Sequence, residues 1–286
     1  MMVYQLGKLA PRIDVRTIKL ARILKPELLP ALPSTFDLDN ELGGIEDNNT
    51  YNNLTYGDCV IAGRAHMTLR FEKFEQGLIV PGTTDEVVKQ YFTETEGADC
   101  GLIMLNSLNS WRKIGWTFGG KFYDIYAYAE VDVKNHAEAQ YCVYLLRGAY
   151  LGINLPLTAQ RQLEAGEIWD YLPGDSGNIP GSWGGHCVYV QSYDGENYTC
   201  ITWGQKQKMT KAFWERYVDE CYGIIDNKDA FLENSPVDVE ALSQILTEIT
   251  TEPVNPDPVP VPPGCNPLSR IIQFFKDRAF LKKYRR

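Results

Sequence analysis

The rhythm of apolar and polar positions changes about half-way along the chain. From Cys59 the run CVIAGRAHMTLRFEKFEQG places Val60, Ile61, Met67, Leu69 and Phe71 among polar residues and stops at Gly77, which predicts a helix ended by glycine. TDEVVKQYFTETEG, with Thr84 as cap and Asp85 and Glu86 in the first turn, predicts a second helix. LIMLNSLNSWRKIGW predicts a third, closing at Gly115. Strand patterns then take over. KFYDIYAYAEV is aromatic and alternating, so it reads as a strand. NHAEAQYCVYLLRG is a helix capped near Asn135, and AYLGINLPL is a buried strand. HCVYVQSYDGENYTCITWG reads as two strands joined at Asp194-Gly195, a strong hairpin signal. TKAFWERYVDE predicts a helix, CYGII a short strand and DVEALSQILTEIT a last helix. Helices early and an antiparallel sheet late define an α+β chain.

The punctuation divides the chain further. Residues 1–31 form a lead-in, since Pro26, Pro30 and Pro33 forbid a long helix there. Residues 32–250 carry the folded domain. Residues 251–265 hold six prolines between 253 and 263, a stiff extended linker. Residues 266–286 read as a basic amphipathic helix.

Composition narrows the function classes. No run of the chain approaches the ~20 apolar residues that cross a bilayer. The first residues also lack the basic, apolar, small-residue order of a signal peptide, so a cytoplasmic or virion-associated protein is expected. Seven cysteines without a CxxC pair exclude zinc-ribbon and redox spacings and point to a reducing compartment. The net charge is −9, yet residues 266–286 hold seven Lys/Arg against one Asp, a charge of +6 that leaves −15 for the rest. An acidic body argues against nucleic acid on the folded part. The basic tail has three readings: docking back on the acidic body, a protein partner's surface, or an anionic membrane interface.

Candidate chemistry centres on NNLTYGDCVIAG. Cys59 stands where a Gly-Asp turn enters a helix, and unpaired N–H groups at such a helix start favour a thiolate. A cysteine nucleophile also needs an imidazole base and donors for an oxyanion. The chain has three histidines. His66 lies seven residues on, about two turns or ~10 Å along the same helix, too far to bond the sulfur. His136 starts a helix in a polar stretch. His186 stands at the mouth of the best-defined strand, behind glycines that let another segment approach. It is the candidate base.

NNLTYGDCVIAG followed by GGHCVYVQSYDGENYTCITWG resembles the papain-like cysteine peptidases. LPSTFDL (Leu32 to Leu38) is similar to the opening of the mature domain in that family, and the likeness runs to about Tyr222. Cys59 and His186 are 127 residues apart, close to the ~130–150 of that family's spacing. The resemblance implies a papain-like fold, Cys59 as nucleophile and His186 as general base. It implies Asn53 as the oxyanion amide in place of the family's glutamine, with Asn52 as the neighbouring alternative, and Trp203 as the shield of the histidine. The family's asparagine before Trp-Gly is replaced by Ile201-Thr202, which leaves Thr202 to meet the imidazole. Gly57, Asp58 and Gly185, beside the two reactive residues, are expected to line the substrate cleft. The lead-in is shorter than a typical inhibitory propeptide, so either no zymogen is needed or control lies elsewhere.

The function implied is a thiol hydrolase cleaving an amide bond in a polypeptide or a peptidoglycan stem peptide through a Cys-His dyad. Blocks such as YGDC, GGH and TWG also resemble phage and bacterial proteins, which implies a viral or microbial source. The alternative is a non-catalytic papain-fold module for binding or assembly, as in a virion or other particle; acyl transfer is a minor option. No cofactor is expected. Cys59, His186, Cys187 and Cys200 make a poor metal site, because adjacent His-Cys do not readily bind one tetrahedral ion together.

Overall fold

A computed structural model describes residues 4–227 and 235–251. The proline linker and the basic tail lie outside the described residues. After two short 3-10 turns (Leu20–Arg22 and Pro26–Leu28) come β1 (Phe36–Asp37) and α1 (Leu38–Glu41). The helical part follows with α2 (Cys59–Gln76), α3 (Thr84–Glu94) and α4 (Met104–Lys113). Then come β2 (Trp116–Phe118), β3 (Lys121–Tyr123), β4 (Ala127–Glu130), α5 (His136–Leu145) and β5 (Ala149–Leu155). The last group is α6 (Leu157–Glu164), β6 (Gly184–Tyr193), β7 (Asn197–Thr202), β8 (Gln205–Thr210), α7 (Lys211–Tyr217), β9 (Val218–Ile225) and α8 (Val239–Thr251).

The expected α+β division holds. The main sheet runs β4-β9-β5-β6-β7-β8, with β1 added to β6, and every pairing in it is antiparallel. Alternate residues point to opposite faces. Tyr150, Cys187, Tyr189 and Ile224 pack toward α2, while Leu151, Val188, Val190 and Cys200 join the second core with α5 and α7. Gly63 lets α2 lie this close: a Cβ there would stand 2.8 Å from the Tyr150 ring.

Three boundaries differ from the sequence expectation. The cap of α3 is Thr83, whose hydroxyl accepts the Glu86 N–H while Glu86 returns a bond to the Thr83 N–H, a complete capping box. The stretch expected as one strand is divided into β3 and β4, because β3 turns back on β2 in a separate hairpin. The helix expected through Glu220 stops at Tyr217, since Val218, Glu220, Cys221 and Tyr222 pair with β5. Sheet pairing there overrides helix propensity.

α2 is buried almost all round, polar residues included. Arg70 holds Asp39 through two bonds of 2.7 and 3.1 Å and Asp47 at 3.0 Å, and His66 Nδ1 meets Asp47 at 2.5 Å. Arg64 reaches Glu94 at 2.7 Å. These ion pairs satisfy charges that a central helix would otherwise bury alone.

Candidate functional site

Cys59 is the first residue of α2, as the Gly-Asp turn predicts. His186 is the third residue of β6, and Thr202 ends β7. β7 and β8 pair with Thr202 opposite Gln205, which leaves only Trp203 and Gly204 to turn the chain. Both have positive φ, 45° and 73°, the pattern of a tight type I′ hairpin. A tryptophan in that region is strained, and its ring shows what the strain positions. Trp203 stacks on His186 with ring centroids 4.0 Å apart and planes 10° from parallel.

The His186 ring is thus held on two sides. Nε2 shares a 2.7 Å hydrogen bond with the Thr202 hydroxyl, and Trp203 covers the face. Nδ1 is buried and has no hydrogen-bond partner. The Cys59 sulfur lies near the main-chain amides of Cys187, the residue joined to His186, and of Gly7. Burial pushes the Cys59 thiol up to about 11, and those amides offset it only in part. Burial likewise lowers His186 to about 3. Each residue is 1% exposed. In this state both groups are neutral.

What seals them is the N-terminal segment, which the sequence offered only as a lead-in. Residues 4–9 run through the site as an extended strap. The Gln5 N–H donates to the Asn53 carbonyl at 3.3 Å, and the Trp203 indole donates to the Gln5 carbonyl at 3.2 Å. Leu102 accepts from the Leu9 N–H at 2.9 Å and donates to the Gly7 carbonyl at 2.7 Å, a parallel bridge. The Lys8 N–H donates to the Gly185 carbonyl at 3.1 Å. The strap is therefore bonded to both halves of the domain. Glycines permit the crossing: a Cβ on Gly7 would stand 1.7 Å from the Gly57 oxygen, and one on Gly185 would stand 2.1 Å from the Lys8 oxygen. Tyr4 continues the cover over Trp203, with ring centroids 4.9 Å apart.

The remaining expected residues sit in the turn before α2. Gly57 donates its N–H to Asp99 at 3.0 Å. Asn53 is buried, and its side-chain amide donates to the Tyr56 carbonyl at 3.0 Å. Asp58 is fully buried and neither oxygen makes a well-formed hydrogen bond. Burial pushes its carboxyl up to about 8, with the Asn53 amide pulling the other way. His66 and His136 are engaged elsewhere, His66 by Asp47 and His136 by Tyr198 and Glu215. Among the described residues no group of three or more His, Cys, Asp or Glu is placed to hold a metal ion, and no helix is long and apolar enough to cross a membrane. A cavity of about 620 Å³ lined by Arg112, Asp124, Tyr126, Asp226 and Ser243 contains neither Cys59 nor His186.

A helix opened by cysteine, set against a sheet whose histidine is braced by a hydroxyl and a tryptophan, defines the papain-like cysteine protease fold. Solved structures bear this out. Xylellain, a cysteine protease from Xylella fastidiosa, superposes with a TM-score of 0.61 at 13% identity over 79% of this chain and 97% of its own. ProCathepsin B S9 from Trypanosoma congolense gives 0.55 at 10% identity, over 78% and 87%. The Carica candamarcensis cysteine protease CMS1MS2, solved in complex with E-64, gives 0.50 at 12% identity, over 68% and 100%. No family model matches the chain, and no curated protein matches it. The divergence is in sequence; the fold is shared.

Proposed function

We propose that this chain is a thiol hydrolase of peptide bonds, held latent by its own N-terminal strap. Cys59 attacks the carbonyl carbon, and His186 takes the thiol proton through Nδ1 and returns it to the leaving amine. A water deprotonated by the same nitrogen then cleaves the thioester, releasing the acid and the Cys59 thiol. Thr202 orients the ring through Nε2, and Trp203 keeps water from that bond. Asn53 and the Cys59 N–H are the donors for the oxyanion, with the Asn53 amide turning from Tyr56 as substrate enters. The observation that carries the reading is the state of His186: one nitrogen fixed by Thr202, one face stacked on Trp203, and the other nitrogen left without a partner. Most buried side-chain polar atoms find a partner, so this nitrogen calls for a role, and its fixed ring gives it one.

Latency follows from the cause of the two shifts. Burial dominates both, raising the thiol and lowering the imidazole. Departure of the strap restores solvent and removes that penalty, which favours the thiolate–imidazolium pair needed for attack. The deciding experiment treats the full chain with a thiol-reactive peptide epoxide and reads intact mass. Wild type takes up one probe, at Cys59, at the slow rate set by departure of the strap, and Cys59→Ala, still folded, takes up none. Labelling of Cys59→Ala at the wild-type rate overturns the reading.

A further inference from the structure

The strap fills the cleft with main chain, except at one side chain. Lys8 is wholly covered, and its ammonium sits 2.7 Å from Asp219 Oδ2 and 3.0 Å from Glu220 Oε1. Burial opposes its charge, but Glu220 and Asp219 outweigh burial and hold the ammonium above its ordinary pKa. The acids do not depend on Lys8 for their orientation. The Asn154 amide donates to Asp219 Oδ2 at 2.9 Å, and the Tyr222 hydroxyl donates to Glu220 Oε2 at 3.0 Å. The channel that admits the stem is floored by Gly152, where a Cβ would stand 2.3 Å from Lys8 Cε. Two preset carboxylates, a floor without side chains and a long cationic occupant make a receptor for an alkylammonium or guanidinium group.

The position of this receptor along the cleft also matters. Lys8 adjoins Gly7, whose amide lies near the Cys59 sulfur. The acid pair therefore stands one residue away from the point of attack. When the strap leaves, two neighbouring carboxylates lose their counter-charge at low dielectric, and a peptide bringing its own cation restores it. We infer that Asp219 and Glu220 select a lysine or arginine side chain of the peptide substrate, and that Lys8 is the internal occupant of that site. This inference rests on the hydrolase reading and specifies its substrate class.

The test uses full-length Gly7→Ala, whose added Cβ would stand 1.7 Å from the Gly57 oxygen and so displaces the strap, emptying the channel and freeing the acid pair. Two peptidyl chloromethyl ketones are compared, alike except for lysine or norleucine next to the residue that bears the electrophile. Iodoacetamide serves as a small control reagent, and modification of Cys59 is followed by intact mass. The lysine probe is expected to react at least tenfold faster than its norleucine twin. That preference is expected to vanish when Asp219→Asn and Glu220→Gln are added. Equal rates for the two probes, or a preference that survives neutralisation of the pair, overturns the inference while leaving the hydrolase reading intact. Reaction with iodoacetamide but with neither peptide probe overturns the hydrolase reading, and the inference with it. Should Gly7→Ala fail to fold, Lys8→Gly, which removes the stem from the channel, takes its place in the same comparison.

Discussion

Two buried histidines stand in this molecule, and their surroundings differ in kind. His66, on α2, meets Asp47, which Arg70 also holds; Arg70 in turn holds Asp39, so the network is closed by charge. His186, on β6, faces no carboxylate, bonds only a hydroxyl, and keeps a nitrogen unpartnered. Both are almost free of solvent. Burial alone therefore says little about role. What separates them is that a carboxylate holds His66, whereas His186 keeps a buried nitrogen without a partner, and an unused atom in a packed interior is retained at a cost.

Exchanging the two residues for alanine breaks this comparison most directly. His186→Ala is expected to lower peptide hydrolysis by roughly 10²–10⁴-fold, the usual contribution of a general acid–base group. His66→Ala instead leaves Asp47 and Arg70 buried beside a void, and about 3 kcal/mol of stability should be lost. Denaturant unfolding and a peptidase assay on both variants check the crossover. An activity loss in His66→Ala as deep as in His186→Ala, in folded protein, would erase the distinction.

Thr202→Val sharpens it. The methyl preserves shape but removes the Nε2 partner, worth about 1 kcal/mol, so kcat should fall roughly fivefold with KM little changed. Thr202→Asn, which again offers an acceptor, should restore part of the rate. The smallest effect concerns Asp58. Burial raises its folded pKa to about 8, against ~3.9 in an unfolded chain. The stability it contributes is therefore full below about pH 4 and is lost as pH rises through about 8. Asp58→Asn mimics the neutral acid at every pH. Its Tm should exceed that of wild type near pH 8 and converge with it near pH 4. A difference that does not change across that range would show that Asp58 does not titrate with folding.

Much of the fold was legible because its signals are local. The turn before Cys59 followed by an eighteen-residue helix, and Asp194-Gly195 between two β-rich runs, need no tertiary knowledge. The places of Cys59 at the head of α2 and of His186 near the start of β6 were legible through local signals, and the proposed roles of these two and of Thr202 rest on order, spacing and the missing asparagine. The strap was not. Tyr4 to Leu9 shows no periodicity, and most of its bonds run through main-chain atoms far away in sequence. Asp219 and Glu220 were hidden for a related reason. They follow an amphipathic run and read as its last turn, whereas pairing with β5 places Glu220 opposite Gly152. Remote main-chain pairing leaves little trace in a side-chain pattern.

The cover over Cys59 has a bearing on durability. Oxidants attack sulfur in proportion to its ionisation and its access to solvent. Here both are suppressed at once, by a few residues of extended chain. With Cys59 buried and its thiol held neutral, peroxide and alkylators are expected to reach it only when the cover is displaced.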